Sequence, residues 1–140
     1  MRKTVMSALL AAMILSGCGG ESSEKMLASA RNYMAKSDNK AAVIQLKNAL
    51  QGDPNLAEAR FLLGKAMLDS GDPTSADVEL RKASELKYPA EQVVPLQARA
   101  LLMLGQPRKV IDDLAKTPLS SPQGTAELQT SVGQAYLLTN

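Results

Sequence analysis

The sequence predicts an all-α fold, a solenoid of helix–turn–helix hairpins built from three repeats and the first helix of a fourth. Three observations predict it. Residues recur at an interval of 34, with Gly71 and Gly105, Ala42 and Ala76, and Ala49 and Ala83 each one period apart. Only 3% of the 140 residues are aromatic and Trp is absent, so the core must come from Ala, Leu, Val, Ile and Met, a mixture that favours closely packed helices. Within each period, apolar residues at helical spacing alternate with polar turns.

The chain opens with Arg2 and Lys3, followed by an uncharged, mostly apolar run from Val5 to Leu15. Eleven residues cannot cross a hydrocarbon core that takes about 20 in a helix, but they suit the apolar region of a secretory signal. Leu15-Ser16-Gly17-Cys18 then resembles the lipobox of bacterial lipoproteins, in which an apolar residue and two small ones precede a cysteine that is lipidated and becomes the first residue after cleavage. A thiolate is the side-chain nucleophile suited to accept the diacylglyceryl group. Cys18, the sole cysteine, is therefore expected to be a lipid attachment point, and residues 1–17 a signal peptide. The resemblance also implies outer-membrane sorting with a periplasmic face rather than inner-membrane retention, because Gly19 follows the cysteine where retained lipoproteins commonly carry Asp.

Cleavage removes two of the 16 basic residues and leaves 14 against 14 acidic, so no net basic field remains to favour nucleic acid. Residues 18–23 read as the lipidated cysteine and a short polar tether.

From residue 23 the chain divides into units 23–56, 57–90 and 91–124, with a partial unit at 125–140. In the second unit, Ala59 to Ser70 places Leu62, Leu63, Ala66 and Met67 at helical spacing. Gly71-Asp72-Pro73 ends that helix, and Pro73 fits the first turn of the next, over Thr74 to Leu86. Gly105-Gln106-Pro107 repeats the turn in the third unit, and Ser37-Asp38-Asn39 replaces it in the first, with Asp38 or Ser37 as a helix N-cap.

This pattern resembles the tetratricopeptide repeat, whose 34-residue consensus favours small residues at positions 8, 20 and 27 and Pro at 32. The first unit supplies Ala30, Ala42, Ala49 and Pro54, with Tyr33 at position 11; the second supplies Gly64, Ala76 and Ala83, with Pro89 one place late. In the third, Ala98 and Pro122 fit while Val110 and Thr117 replace small residues, so its helices are expected to pack more loosely. Small residues at crossings let backbones approach. Thr125 to Asn140 reads as a further first helix with Leu128, Val132, Ala135 and Tyr136 on one face and, after a one-residue slip, Gly133 and Tyr136 at positions 8 and 11. A terminal repeat needs a polar cap. Its apolar outer face favours a natural chain that continues past Asn140 over a helix that is itself the cap.

Catalytic chemistry finds little purchase. Without His, and with one Cys, the chain has no Cys–His or Ser–His–Asp triad, no His-dependent zinc site and no intrachain disulfide. Ser37-Asp38-Asn39-Lys40 matches fragments of penicillin-interacting serine enzymes, but no K-T-G strand completes them, and an interhelical turn explains the residues. Asp112 and Asp113 are neighbours, about 100° apart on a helix, and cannot converge on one bond. No enzymatic role, metal or cofactor is expected beyond the covalent lipid on Cys18.

The repeat resemblance implies that first helices line a concave groove. Position 9 of the three units gives Arg31, Lys65 and Arg99, a basic column, with Leu27, Met34, Phe61, Leu68, Leu102 and Met103 as an apolar floor for a protein or peptide partner with acidic groups. The competing reading is ordinary solvated charge, paired in part with Glu24, Glu58 or Asp69.

Over most of its length the chain is similar to the tetratricopeptide lipoproteins of PEP-CTERM and exosortase systems, through the lipobox and the phrases AAVIQLKNALQGDPNLAEARFLLGKAMLDSGDP and ASELKYPAEQVVPLQARALLMLGQPRKVIDDL. That resemblance implies a non-enzymatic, membrane-anchored periplasmic scaffold for protein–protein interactions in exopolysaccharide production or export, or in sorting of proteins with a C-terminal tail. Two alternatives share the architecture: a pilus or secretion-system assembly lipoprotein, and the N-terminal part of a larger glycan-binding or enzymatic protein.

Overall fold

The computed structural model describes residues 22–139. The expected signal peptide over residues 1–17, the expected lipobox residues Leu15, Ser16 and Gly17, and Cys18 lie outside the described residues. Of the expected tether, Ser22 already caps the first helix by accepting from the Lys25 amide at 3.4 Å, and Ser23 is its first residue.

The described residues form α1 (Ser23–Ala35), α2 (Asn39–Gly52), α3 (Ala57–Asp69), α4 (Pro73–Glu85), α5 (Ala90–Met103), α6 (Pro107–Lys109) and α7 (Pro122–Thr139). From α6 the chain continues as a π-helical turn over Val110–Leu114. Helices pack on their neighbours in sequence, as hairpins α1/α2, α3/α4 and α5 with α6 and the π turn, and α7 lies against α5.

Local chemistry explains the turns. Ser37, Gly71 and Gly105 fall one period apart and all take the left-handed conformation, at φ of 59°, 81° and 67°. At each, the following amide donates back across the turn, Asp38 to the Tyr33 carbonyl, Asp72 to Met67 and Gln106 to Leu101, all at 2.9 Å. These are six-to-one bonds of a Schellman helix end repeated three times at an interval of 34. Asp38 then caps α2 through the Ala41 amide and Asp72 caps α4 through the Ser75 amide, both at 3.0 Å, whereas Gln106 gives α6 no side-chain cap.

The small residues are fully buried at the crossings: Ala30, Ala42, Ala49, Ala76, Ala83 and Ala98 have no exposed surface. A Cβ added to Gly64 would lie 2.8 Å from Leu80 Cγ and 3.2 Å from the Ala76 carbonyl oxygen, so α4 approaches α3 as closely as a glycine permits.

Contacts between hairpins follow the same register. Ala59 joins the core of the first hairpin, Val93 that of the second and Leu128 that of the third. Seven residues further on, Ala100 packs with Leu68 and Ala76, and Ala135 packs with Ala98 and Leu101. The matching residues of the first unit, Lys25 and Asn32, are exposed because no hairpin precedes them among the described residues. Steps from Ala59 to Val93 and on to Leu128 are one period and then one period plus one residue, which is the expected slip. The extra residue falls in the unit holding the π turn, where the Ala115 amide reaches the Val110 carbonyl five residues back at 3.0 Å.

The third unit departs from expectation in two ways. Its second helix stops at Leu114, so Thr117 is not at a helix crossing; although Val110 is fully buried, this shortened helix touches α5 far less than α2 touches α1 or α4 touches α3, the looser packing expected of this unit. Pro122, expected only as the position-32 residue of the third unit, is the first residue of α7, which starts three residues before the expected Thr125, with Ser121 accepting from the Gly124 amide at 2.9 Å as its cap. In α7, Leu128 and Ala135 face the core as expected and Val132 packs beside them, but Tyr136, about 100° around the helix from Ala135, is 51% exposed.

Candidate partner-binding groove

The first helices α3, α5 and α7 lie side by side, and between them run two concavities of about 500 and 530 Å³. Both are lined by Leu96 and Glu127, so they form one groove. Phe61, Lys65 and Gln92 line its upper end, while Arg99, Thr130 and Gln134 line its lower end.

Two devices fix the wall contributed by α7. Glu91, near the start of α5, accepts from the Ser120 amide at 3.2 Å and from the Ser120 hydroxyl. That hydroxyl bond, with help from backbone amides, holds the Glu91 carboxyl below the usual glutamate range. Four residues on, Pro95 lies inside α5 and has no N–H to give to the Glu91 carbonyl. Gly124 of α7 lies so close to that oxygen that a Cβ on it would stand 2.8 Å away.

The basic column is only partly available. Arg31 donates to both carboxylate oxygens of Glu58, at 2.7 and 2.6 Å, and this bonding raises the guanidinium pKa further. Arg99 lies 3.5 Å from Asp69. Lys65 makes no ion pair among the described residues and faces a groove end that also holds Glu91 and Glu127. Two of the three cations are thus answered by carboxylates on the adjacent first helix, and both of these, Glu58 and Asp69, are named by the competing reading.

The apolar floor is also revised. Leu27 and Leu68 are each 2% exposed and belong to the cores between helices, because the same helix side that borders the groove must also seat the next hairpin. Phe61 is 7% exposed: its ring stacks on Tyr88 at 4.6 Å and little of it is left open to the groove. Burial in turn pushes the Tyr88 hydroxyl pKa up. Met34 and Leu102 are half-buried, and Met103 is exposed away from both concavities.

Residues that line the groove in their stead, Gln92, Leu96, Glu127, Thr130 and Gln134, were not singled out by the sequence. A signal for them existed: with the one-residue slip, Gln134 continues the series Arg31, Lys65, Arg99, and Glu127 occupies the place of Glu58 and Gln92. What the groove can do chemically is hold an extended chain. Side-chain amides and a hydroxyl can meet backbone groups, Leu96 and what is left open of Phe61 offer apolar contact, and Lys65 with Glu127 offers both signs of charge.

No described helix is long and apolar enough to cross a membrane. Compared with known proteins, the chain matches no protein-family model and no curated protein.

Proposed function

We propose that the chain is a lipid-anchored tetratricopeptide scaffold facing the periplasm, which holds an extended segment of a protein partner in the groove between α3, α5 and α7. The observation that carries this reading is the recurrence of one turn, the Schellman bonds ending at Asp38, Asp72 and Gln106, at the 34-residue period of the repeat. Stacked hairpins of this register leave first helices side by side, a surface suited to extended chains. Cys18 would fix the solenoid at the outer membrane, and anchoring would raise the partner's effective concentration. The setting most consistent with the sequence phrases is exopolysaccharide production or export, or sorting of proteins with a C-terminal tail. The groove's paired charges favour a partner segment of mixed charge over a purely acidic one.

The experiment places a photoreactive residue at Gln134 of the full chain in a bacterial host and, as control, at the exposed Lys40 on the second helix. A discrete adduct with an exported protein at Gln134 alone, lost with Lys65→Glu, supports the groove. Identical adducts at both positions overturn it. Cys18→Ser should leave the chain unprocessed and abolish its fractionation with the outer membrane; a processed, membrane-bound variant refutes the anchor.

A further inference from the structure

The first hairpin carries a surface that the second does not repeat. Residues 22–56 hold five basic and three acidic side chains, a net of +2, against five and six over 57–90 and four and four over 91–139. Alone among the helices longer than three residues, α2 has cations and no acid. Its Lys40, Ile44, Lys47 and Gln51 recur at helical spacing, which sets them on one side of the helix, and all four are exposed, Ile44 by 59%. Neither lysine forms an ion pair among the described residues. Lys47 and Gln51 border a shallow cleft whose carboxylate, Glu79, is already held by Arg60 and Lys82. The acids of the hairpin are engaged or elsewhere: Asp38 and Asp53 accept from the Ala41 and Asn55 amides, and Glu24 is on α1. One period on, the same places of α4 hold Thr74, Val78, Arg81 and Glu85, with Arg81 bound to Asp77 at 3.3 Å.

This stripe lies where the chain arrives from the cysteine. The end of α2 packs against the start of α1, so closely that a Cβ on Gly52 would collide with the Ser23 hydroxyl. Gln51, the last residue of the stripe, precedes Gly52 and is thus beside the point at which the segment from Cys18 joins α1. The four peptide steps from Cys18 to Ser22 span at most about 14 Å, and the stripe from Lys40 to Gln51 is about 17 Å long. We propose that this face of α2 rests on the membrane that holds the Cys18 lipid, with Lys40 and Lys47 among anionic phospholipid headgroups and Ile44 entering the interface between them. The inference rests on the anchor at Cys18 proposed above. A lysine near an anionic surface strengthens attachment about fivefold. The stripe adds to the lipid a second signal, which selects one orientation from those that a short tether allows. No residue of α2 lines the groove, so α3, α5 and α7 stay open to a protein partner while α2 lies on lipid.

The test places a photoreactive apolar residue at Ile44 of the full chain in a bacterial host and, as control, at Val78, which is 38% exposed one repeat further on. Phospholipid adducts are expected at Ile44 and should be about fivefold or more weaker at Val78. Replacing both lysines, by Lys40→Gln and Lys47→Gln, should lower the Ile44 adduct by about fivefold or more while the chain still sediments with the membrane. Both lysines are exposed, so unchanged circular dichroism will show that the fold is intact. The purified lipidated chain in vesicles should give the adduct when phosphatidylglycerol is present, lose it with added salt, and give little in phosphatidylcholine alone. A membrane-bound chain with no lipid adduct at Ile44, with equal adducts at Ile44 and Val78, or with adducts indifferent to the lysines or to the vesicle charge overturns the proposal. So does an Ile44 adduct to a protein, which would assign the face to a protein partner. A chain recovered outside the membrane fraction refutes the anchor and the orientation together, an outcome that fractionation alone reports, so the two failures are told apart.

Discussion

Gly64 and Leu80 meet so closely that a Cβ on residue 64 would stand 2.8 Å from Leu80 Cγ, whereas the equivalent Gly133 meets nothing within 4 Å. Two glycines of one register thus serve opposite ends of one rule. Gly64→Leu should overpack the α3/α4 crossing and cost about 1–3 kcal/mol. Gly133→Ala removes a helix-interior glycine with space to spare and should gain up to about 1 kcal/mol. Thermal melts of the two variants should move in opposite directions; a shared sign would break the equivalence of the two positions.

Ser37 holds a left-handed conformation at φ 59°, where its repeat mates Gly71 and Gly105 are glycines. A Cβ in that conformation costs about 1–2 kcal/mol, offset in part by the extra freedom glycine has when unfolded. Ser37→Gly should therefore stabilise by about 0.5–1 kcal/mol, and Gly71→Ser should destabilise by a similar amount. Urea unfolding midpoints check both.

Arg60 and Glu79 form an ion pair at 2.7 Å with side chains only 16% and 12% exposed, while Arg31 and Glu58 are 48% and 36% exposed. Arg60 also donates to the Pro54 carbonyl at 3.2 and 3.0 Å, so the pair ties the α2–α3 loop to α4. Glu79→Ala leaves a half-buried guanidinium short of its partner and should cost about 2–3 kcal/mol. Glu58→Ala should cost no more than about 1 kcal/mol, and less at high salt. Equal losses in denaturant melts would mean that burial does not set the difference.

The Glu91 carboxyl, bonded by Ser120, titrates below its ordinary value of 4.5. A depressed folded-state pKa contributes stability that is full above the ordinary value and disappears as the pH falls through the depressed one. The junction between α5 and α7 should therefore loosen on acidification. Carbon-13 titration of Glu91 should show its midpoint rising towards the ordinary value in Ser120→Ala, and backbone exchange over Ser120–Gly124, corrected for its intrinsic pH dependence, should quicken there first.

Much of the fold was legible because its signals are local. A glycine or serine at the end of a helix, an aspartate after it and an alanine at a crossing each act within a few residues of themselves, so their recurrence at 34 announces hairpins before any contact is known. The start of α7 was misplaced because Pro122 suits both a linker and a first helical turn, and only the Ser121 cap and the bond from Ser120 to Glu91 select the second. The π turn left no composition signal beyond the one-residue slip it accompanies.

The sequence by itself determined the helical hairpins, their register and the small residues at their crossings, because these follow from backbone conformation and side-chain size at each position. Only the tertiary structure decided what the surface offers. Leu27 and Leu68 went to the core because neighbouring hairpins close over them, Arg31 and Arg99 met Glu58 and Asp69, and Leu96, Glu127 and Gln134 became groove wall. Such outcomes depend on distances between helices that are far apart along the chain, and those distances are set by the packing of all the helices together.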